Sequence, residues 1–180
     1  MNLYLRLLMT YLKARRGRRL GVWDVARTAF RVLPNDLDQI GHMNNARYLA
    51  IMDLGRMDLM LRSGFWSKTT RRGWYPVVAG QSISYRRSLK PGQRYEVHSE
   101  ILGMDDNWFF LEQTFVVGED VYAHAIVRAR FLRKSGGSVS HDELLELAGP
   151  MPEGRGVLPE WITEWSDGSK PPKKVSELHD

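Results

Sequence analysis

Residues 36–49, which read DLDQIGHMNNARYL, place two aspartates, a histidine and a pair of asparagines at the start of a long helical pattern. A carboxylate such as Asp38 can act as a general base or as a nucleophile toward a carbonyl carbon. The first turn of a helix, here near Asn45, offers free backbone N–H groups and the positive end of the helix dipole. Such donors stabilise an oxygen that becomes negative during attack. The segment therefore suits chemistry at a carbonyl group.

Each of these residues also has a structural interpretation. Asp38 can stabilise its own loop, and Asn44 or Asn45 can cap the helix by accepting from a free backbone N–H. His42 can orient a substrate or a water, but a loop histidine bonded to the backbone is the favoured alternative. Tyr48, a candidate substrate contact, falls on the helix, where a core position is the favoured alternative. These alternatives stay open at this point.

The elements that must position the segment follow from hydrophobic periodicity. Residues 25–33 alternate apolar and polar side chains, which predicts a half-buried strand. Pro34, Asn35 and Asp36 break it, so Asp36 is predicted to be a turn residue. Residues 44–62 are apolar on nearly every face, which predicts a buried helix, and Gly64 is typical of its end.

The remainder of the chain is dominated by strand patterns joined by tight turns. Alternation predicts four strands, at residues 81–89, 94–102, 108–117 and 121–133. A short amphipathic helix is predicted at 141–148. One strand, one long buried helix and four further strands predict an α+β domain in which a curved antiparallel sheet wraps around the helix. That arrangement is the hotdog fold.

The segment before the helix resembles a known signature. Its pattern D-x-D-x-x-G-H-x-N-N-A-x-Y-L is similar to that of the 4-hydroxybenzoyl-CoA thioesterase-like hotdog family, in particular the branch of proteins similar to thioesterase superfamily member 6. Weaker similarity continues in order through residues 84–89, 101–106 and 109–112. The resemblance covers residues 25–134 and depends mainly on the first segment, which matches in residue type, spacing and position.

This resemblance implies an acyl-CoA thioesterase. It implies that Asp38 is the catalytic carboxylate, as base or nucleophile, and that a backbone N–H near Asn45 contacts the oxyanion. We expect a medium or long fatty acyl group carried by CoA or by an acyl carrier protein, and no metal or cofactor beyond the CoA of the substrate. Because sites in this family usually form between subunits, a homodimer or a dimer of dimers is expected.

Further substrate contacts are predicted on the strand at 81–89. Ser84 lies where the strand can approach the site, and Arg86 and Arg87, as neighbours in a strand, are predicted to point to opposite faces. A guanidinium suits a CoA phosphate. An ordinary sheet residue and a solvated strand face are the alternatives.

Composition and motifs exclude several other classes of site. The chain of 180 residues has no Cys, which excludes disulfides, thiolate zinc sites and a Cys nucleophile. It lacks a G-x-S-x-G elbow, a phosphate-binding P-loop and a dinucleotide glycine fingerprint. The net charge of +5 is the sole feature in favour of nucleic-acid binding, which is therefore not expected.

The ends of the chain differ from its centre. Residues 1–22 form an amphipathic, basic extension. Residues 149–180 form a tail rich in Pro, Gly and charged residues, which we expect to be loosely ordered. Trp161 and Trp165 can anchor one helical turn within that tail. The first extension is predicted to be a helix packed on its own domain or on a partner subunit. A peripheral membrane contact through residues 1–20 is the alternative. We expect the protein to be cytoplasmic, and association with a membrane through residues 1–20 is the alternative.

Two other functions remain as alternatives. A hotdog domain that binds acyl chains or acyl-CoA without hydrolysing them fits the same apolar helix. An enoyl-CoA hydratase is ranked last, because Asp38 and His42 precede the helix in the manner of the thioesterases.

Overall fold

The computed structural model describes residues 3–105 and 107–171. Residue 106, between the predicted strands at 94–102 and 108–117, and the outer ends of the predicted extension and tail therefore lie outside the described residues. The helices are α1 (Leu3–Arg16), α2 (Asn45–Arg62), α3 (Phe65–Arg71), α4 (His141–Ala148) and α5 (Glu160–Gly168). The strands are β1 (Ala26–Arg31), β2 (Trp74–Tyr85), β3 (Arg94–Met104), β4 (Phe109–Val117) and β5 (Asp120–Arg133).

The five strands form one antiparallel sheet in the order β1-β3-β4-β5-β2. The central helix α2 packs against the sheet and buries Ile51, Met52 and Leu54 there. The helix approaches the sheet closely at Gly55, where a Cβ atom would lie 2.8 Å from Ser99 Oγ, so a larger residue would push the helix away. A curved antiparallel sheet around one central helix confirms the predicted hotdog fold.

The strand at 81–89 is the main correction to the predicted elements. β2 begins at Trp74 and ends at Tyr85, and the short helix α3, which was not predicted, precedes it. The N–H groups of Arg86 and Arg87 both donate to the carbonyl of Tyr122, at 2.8 and 3.1 Å. Both arginines lie beyond the last residue of β2, so the prediction that the strand continues through them to residue 89 is wrong.

The first helix packs on its own domain with an unexpected orientation. Its buried residues are Arg6, Thr10 and Ala14, whereas its leucines lie mostly at the surface. Arg6 forms a buried ion pair with Asp36, and this pair joins α1 to the loop before α2. Within the described residues, no helix has the length and hydropathy that crossing a bilayer requires.

On the outer face of the sheet, α5 packs against β4 and β5. Ile162 of this helix packs on Phe110 and Ile126 in a second, smaller core. Arg128, which is 1% exposed, lies between the rings of Trp108 and Trp165 and donates to the carbonyl of Ser166. Residues 160–168 therefore form a helix within the tail, as the tryptophan pair predicted. Trp165 anchors it, whereas Trp161 is 48% exposed.

Candidate functional site

The loop that precedes α2 is closed by its own backbone. The N–H of Asp38 donates to the carbonyl of His42 at 2.8 Å, and Leu37 pairs with Met43 in an isolated bridge. Gly41 occupies the turn with a φ of 82°, a conformation that glycine adopts without steric cost. The pattern D-x-x-G-H therefore has a structural basis, since the turn returns the chain to the helix start.

The carboxylate of Asp38 is held by this turn from one side. Its Oδ1 accepts from the N–H groups of Ile40 and His42, each at 3.0 Å. Its Oδ2 has no hydrogen-bond partner among the residues that the structure describes. The side chain is half-buried and borders an open depression formed with Leu37, Gln39 and Asn44. A fixed carboxylate with one free oxygen can accept a proton from water or attack a carbonyl carbon.

The start of α2 supplies the complementary donors. Asn44 is the N-cap, as predicted for this pair of asparagines, and its side chain accepts from the N–H of Ala46 at 2.9 Å. Its own N–H donates to the carbonyl of Asp36 at 2.8 Å. The N–H of Asn45, the first helical residue, has no acceptor in the described part of the chain. It is thus available to an external anion or a polarised carbonyl oxygen.

Asp36 is buried rather than a simple turn residue, and it is the residue at this site that the sequence interpretation missed. Its carboxylate is 1% exposed, pairs with Arg6, and accepts from the N–H of Leu33 at 2.8 Å. Arg47 approaches its other oxygen at 3.9 Å. Because its partner Arg6 lies thirty positions away in sequence, no local pattern indicates this role.

Tyr48 and His42 differ in their surroundings. Tyr48 is 2% exposed, packs on Tyr85 and Phe115, and its hydroxyl accepts from the N–H of Leu89 at 3.3 Å. Burial raises the pKa of Tyr48. Tyr48 is therefore a core residue, the interpretation that its place on the helix favoured, and its contact with a substrate stays a prediction. His42 is half-buried, and its ring forms no hydrogen bond within the described residues.

The predicted contacts beyond the loop lie near the end of β2. Ser84 is exposed and pairs with His124 across the ladder. Arg87 is engaged with Asp120 at 2.6 Å on the surface. Arg86 is exposed and has no ion pair among the described residues, so of the two it is the more available to a phosphate.

An apolar pocket of about 250 Å³ lies between the second half of α2 and the sheet. Its walls include Met57, Met60, Phe65, Phe109 and Val78. Met57 and Met60 of α2 both line this space. Met43 and Met52 are buried in the main core instead.

The rim of this pocket carries a polar pair that the sequence interpretation did not single out. Asp53 and Arg56 form an ion pair there, and Arg56 also donates to Gln113 Oε1 at 2.5 Å. Burial lowers the pKa of Arg56. The two residues interrupt the apolar pattern of the helix, which was the available signal, but their common position at a pocket depends on the tertiary structure.

Comparison with known proteins agrees with this architecture. The family model for the thioesterase-like superfamily matches residues 32–165. Protein THEM6 of Xenopus laevis is 40% identical over 99 residues, which is 55% of this chain and 48% of that protein. Probable thioesterase YBR096W of Saccharomyces cerevisiae is 25% identical over 119 residues, or 64% of this chain and 51% of that protein. The chain thus spans about half the length of these curated relatives.

Solved structures share the fold over most of their own length. The probable thioesterase YbaW of Escherichia coli superposes with a TM-score of 0.64 and 25% identity, covering 68% of this chain and 95% of that one. The gentisyl-coenzyme A thioesterase BH1999 gives a TM-score of 0.60 at 17% identity, covering 67% of this chain and 98% of that one. The second likeness concerns the fold alone.

Proposed function

The chain belongs to the thioesterase-like superfamily, and on that basis we propose that it hydrolyses an acyl-CoA or acyl-carrier thioester to a free acid and a thiol. One observation supports the proposal most strongly. The loop before α2 leaves two complementary groups without a partner among the described residues, the Oδ2 of Asp38 and the N–H of Asn45. A base or nucleophile beside an oxyanion donor is what cleavage of a thioester requires.

In the proposed reaction, the N–H of Asn45 donates to the thioester oxygen as negative charge develops there. Asp38 either takes a proton from the attacking water or attacks the carbonyl carbon itself to form an anhydride that water then hydrolyses. In both routes the C–S bond breaks and the thiolate leaves and takes up a proton. Arg86 is proposed to contact a phosphate of CoA. No cofactor takes part.

The proposed substrate is a medium or long fatty acyl group. The pocket of about 250 Å³ supports this because its lining is almost wholly apolar and includes the flexible side chains of Met57 and Met60. Within one chain this pocket is remote from the reacting groups, since twelve residues of helix separate Asn45 from Met57, about 18 Å at 1.5 Å per residue.

A homodimer would bring the pocket and the reacting groups together. β2 is an edge strand with exposed side chains at Tyr75, Val78 and Tyr85, and such an edge favours pairing with a second chain. The Tyr85 end of β2 packs on Tyr48 at the start of α2, whereas its other end lines the pocket. Two-fold antiparallel pairing of β2 with its copy therefore places the loop of one chain beside the pocket of the other.

The activity is tested by thiol release from acyl-CoAs of increasing chain length and from benzoyl-CoA. We expect turnover by the wild type and a loss of at least about 10²-fold for Asp38→Asn, the size expected for removal of a positioned acid–base group. Met60→Phe should shift the preference to shorter chains, whereas Met52→Leu, a core change on the same helix, should not. A wild type that binds acyl-CoA but releases no thiol would replace hydrolysis with the binding function.

The assembly is tested separately by light scattering. A dimer is expected, and a stable monomer of 20.8 kDa would contradict the shared site.

A further inference from the structure

Helix α1 is oriented with its polar face inward. Arg6, Thr10 and Ala14, spaced four apart, form the buried face. The opposite face carries Leu5, Leu8 and Leu12, which are 48%, 53% and 45% exposed. A surface helix normally buries its apolar stripe and exposes its polar one. Here the buried ion pair between Arg6 and Asp36 fixes the reverse orientation.

The exposed apolar surface extends beyond α1. Leu7, Leu8 and Tyr11 border a groove of about 350 Å³ whose other wall is formed by Met57, Leu61 and Trp66 of α2 and α3. The exposed apolar side chains are therefore contiguous across three helices and are not scattered singly. Such a surface marks a site of interaction with a protein or a membrane.

Positive charge lies directly beside this surface. Lys13, Arg15, Arg16, Arg18 and Arg19 are all exposed, and none forms an ion pair with a carboxylate among the residues that the structure describes. The first acidic residue of the chain is Asp24. A partner complementary to this surface must therefore offer both apolar groups for the leucines and negative charge for the basic run.

We propose that the outward face of α1, with the basic run that follows it, docks the protein on an anionic lipid surface. A bilayer with anionic headgroups provides both hydrocarbon for the leucines and negative charge for the basic run. A second copy of the chain fits less well, because an isologous contact pairs the same surface with itself and so offers the basic run no negative charge. The inference depends on α1, the groove beside it and the basic run, and it is independent of the thioesterase proposal.

Vesicle flotation of the full chain tests this inference. Vesicles of phosphatidylcholine alone are compared with vesicles of phosphatidylcholine and phosphatidylglycerol. We expect binding to the anionic vesicles and a loss of at least about tenfold in partitioning for the double variant Leu8→Glu with Leu12→Glu. The matched control is Val121→Glu with Val157→Glu, which alters exposed apolar residues elsewhere and should bind as the wild type does.

A second pair of variants tests the charge and keeps the test valid if the leucine variant does not fold. Arg15→Glu with Arg16→Glu should also reduce partitioning at least about tenfold, since each basic residue near an anionic surface contributes to binding. The matched control, Lys90→Glu with Lys134→Glu, alters two exposed lysines elsewhere and should leave partitioning unchanged. Circular dichroism verifies folding of each variant.

Three outcomes would overturn the proposal. The first is a wild type that does not float with anionic vesicles. The second is equal flotation with phosphatidylcholine alone, which would exclude the role of the basic run. The third is an absence of flotation together with self-association that the Leu8 and Leu12 substitutions abolish, which would make the face an interface between copies.

Discussion

Asp36 and Asp38 are two residues apart in one loop, yet the structure holds their carboxylates in opposite ways. Asp36 is 1% exposed and uses its oxygens on Arg6, the N–H of Leu33 and the more distant Arg47. Asp38 is half-buried, and the backbone of its own turn holds one of its oxygens. A carboxylate whose oxygens are engaged by the protein stabilises the fold, and one with a free oxygen is available for chemistry.

The largest effect is expected at Asp36. Asp36→Asn should lower the free energy of unfolding by about 3 kcal/mol, because it leaves the Arg6 guanidinium buried beside a neutral partner. Chemical denaturation measures this change. Activity per folded molecule should stay near that of the wild type.

A double-mutant cycle with Arg6→Met sharpens that result. The double variant should lose less stability than the two single variants together, because neither charge is then left unpaired. Additive losses would show that the ion pair itself contributes nothing.

The opposite result is expected at Asp38. Asp38→Asn should leave the free energy of unfolding within about 0.5 kcal/mol of the wild type, because the amide oxygen still accepts from Ile40 and His42. Its rate of thiol release should nevertheless fall at least about 10²-fold. If Asp38→Asn unfolds as readily as Asp36→Asn, the distinction between the two carboxylates is wrong.

Tyr48, like Asp36, is expected to stabilise the fold and to take no part in the reaction. Tyr48→Phe should lower the free energy of unfolding by about 1 kcal/mol, since it removes one buried hydrogen bond from the N–H of Leu89. Thermal denaturation measures the loss. The ratio kcat/KM should be unchanged, and a large fall in it at constant stability would return Tyr48 to the substrate site.

The smallest effect is expected at His42. Its ring forms no hydrogen bond within the described residues, whereas its backbone holds the turn. His42→Ala should therefore change stability by less than about 0.5 kcal/mol. Thiol release should fall far less than the roughly 10²-fold typical of a lost acid–base group. A loss of that size would instead assign the imidazole a part in the reaction.

The two terminal helices show which parts of the molecule local pattern could predict. α5 follows the ordinary rule that a surface helix buries its apolar side chains, because Ile162 packs inward on the sheet and Trp165 lies against it. Yet the tail's Pro-, Gly- and charge-rich composition indicated disorder, since composition does not reveal that Arg128, Trp108 and Trp165 meet. α1 reverses the rule, because its orientation depends on an ion pair between residues far apart in sequence.

The sequence by itself determined the hotdog fold, the position of the central helix and the segment with Asp38 and Asn45, because periodicity, capping and turn chemistry are local properties. Only the tertiary structure decided which carboxylate is buried, where β2 begins and ends, and which face of α1 points outward. It also decided which methionines of α2 line a pocket. These features depend on contacts between residues that are distant in sequence. The burial and ion pairing that such contacts produce cannot be predicted from a periodic pattern in the sequence.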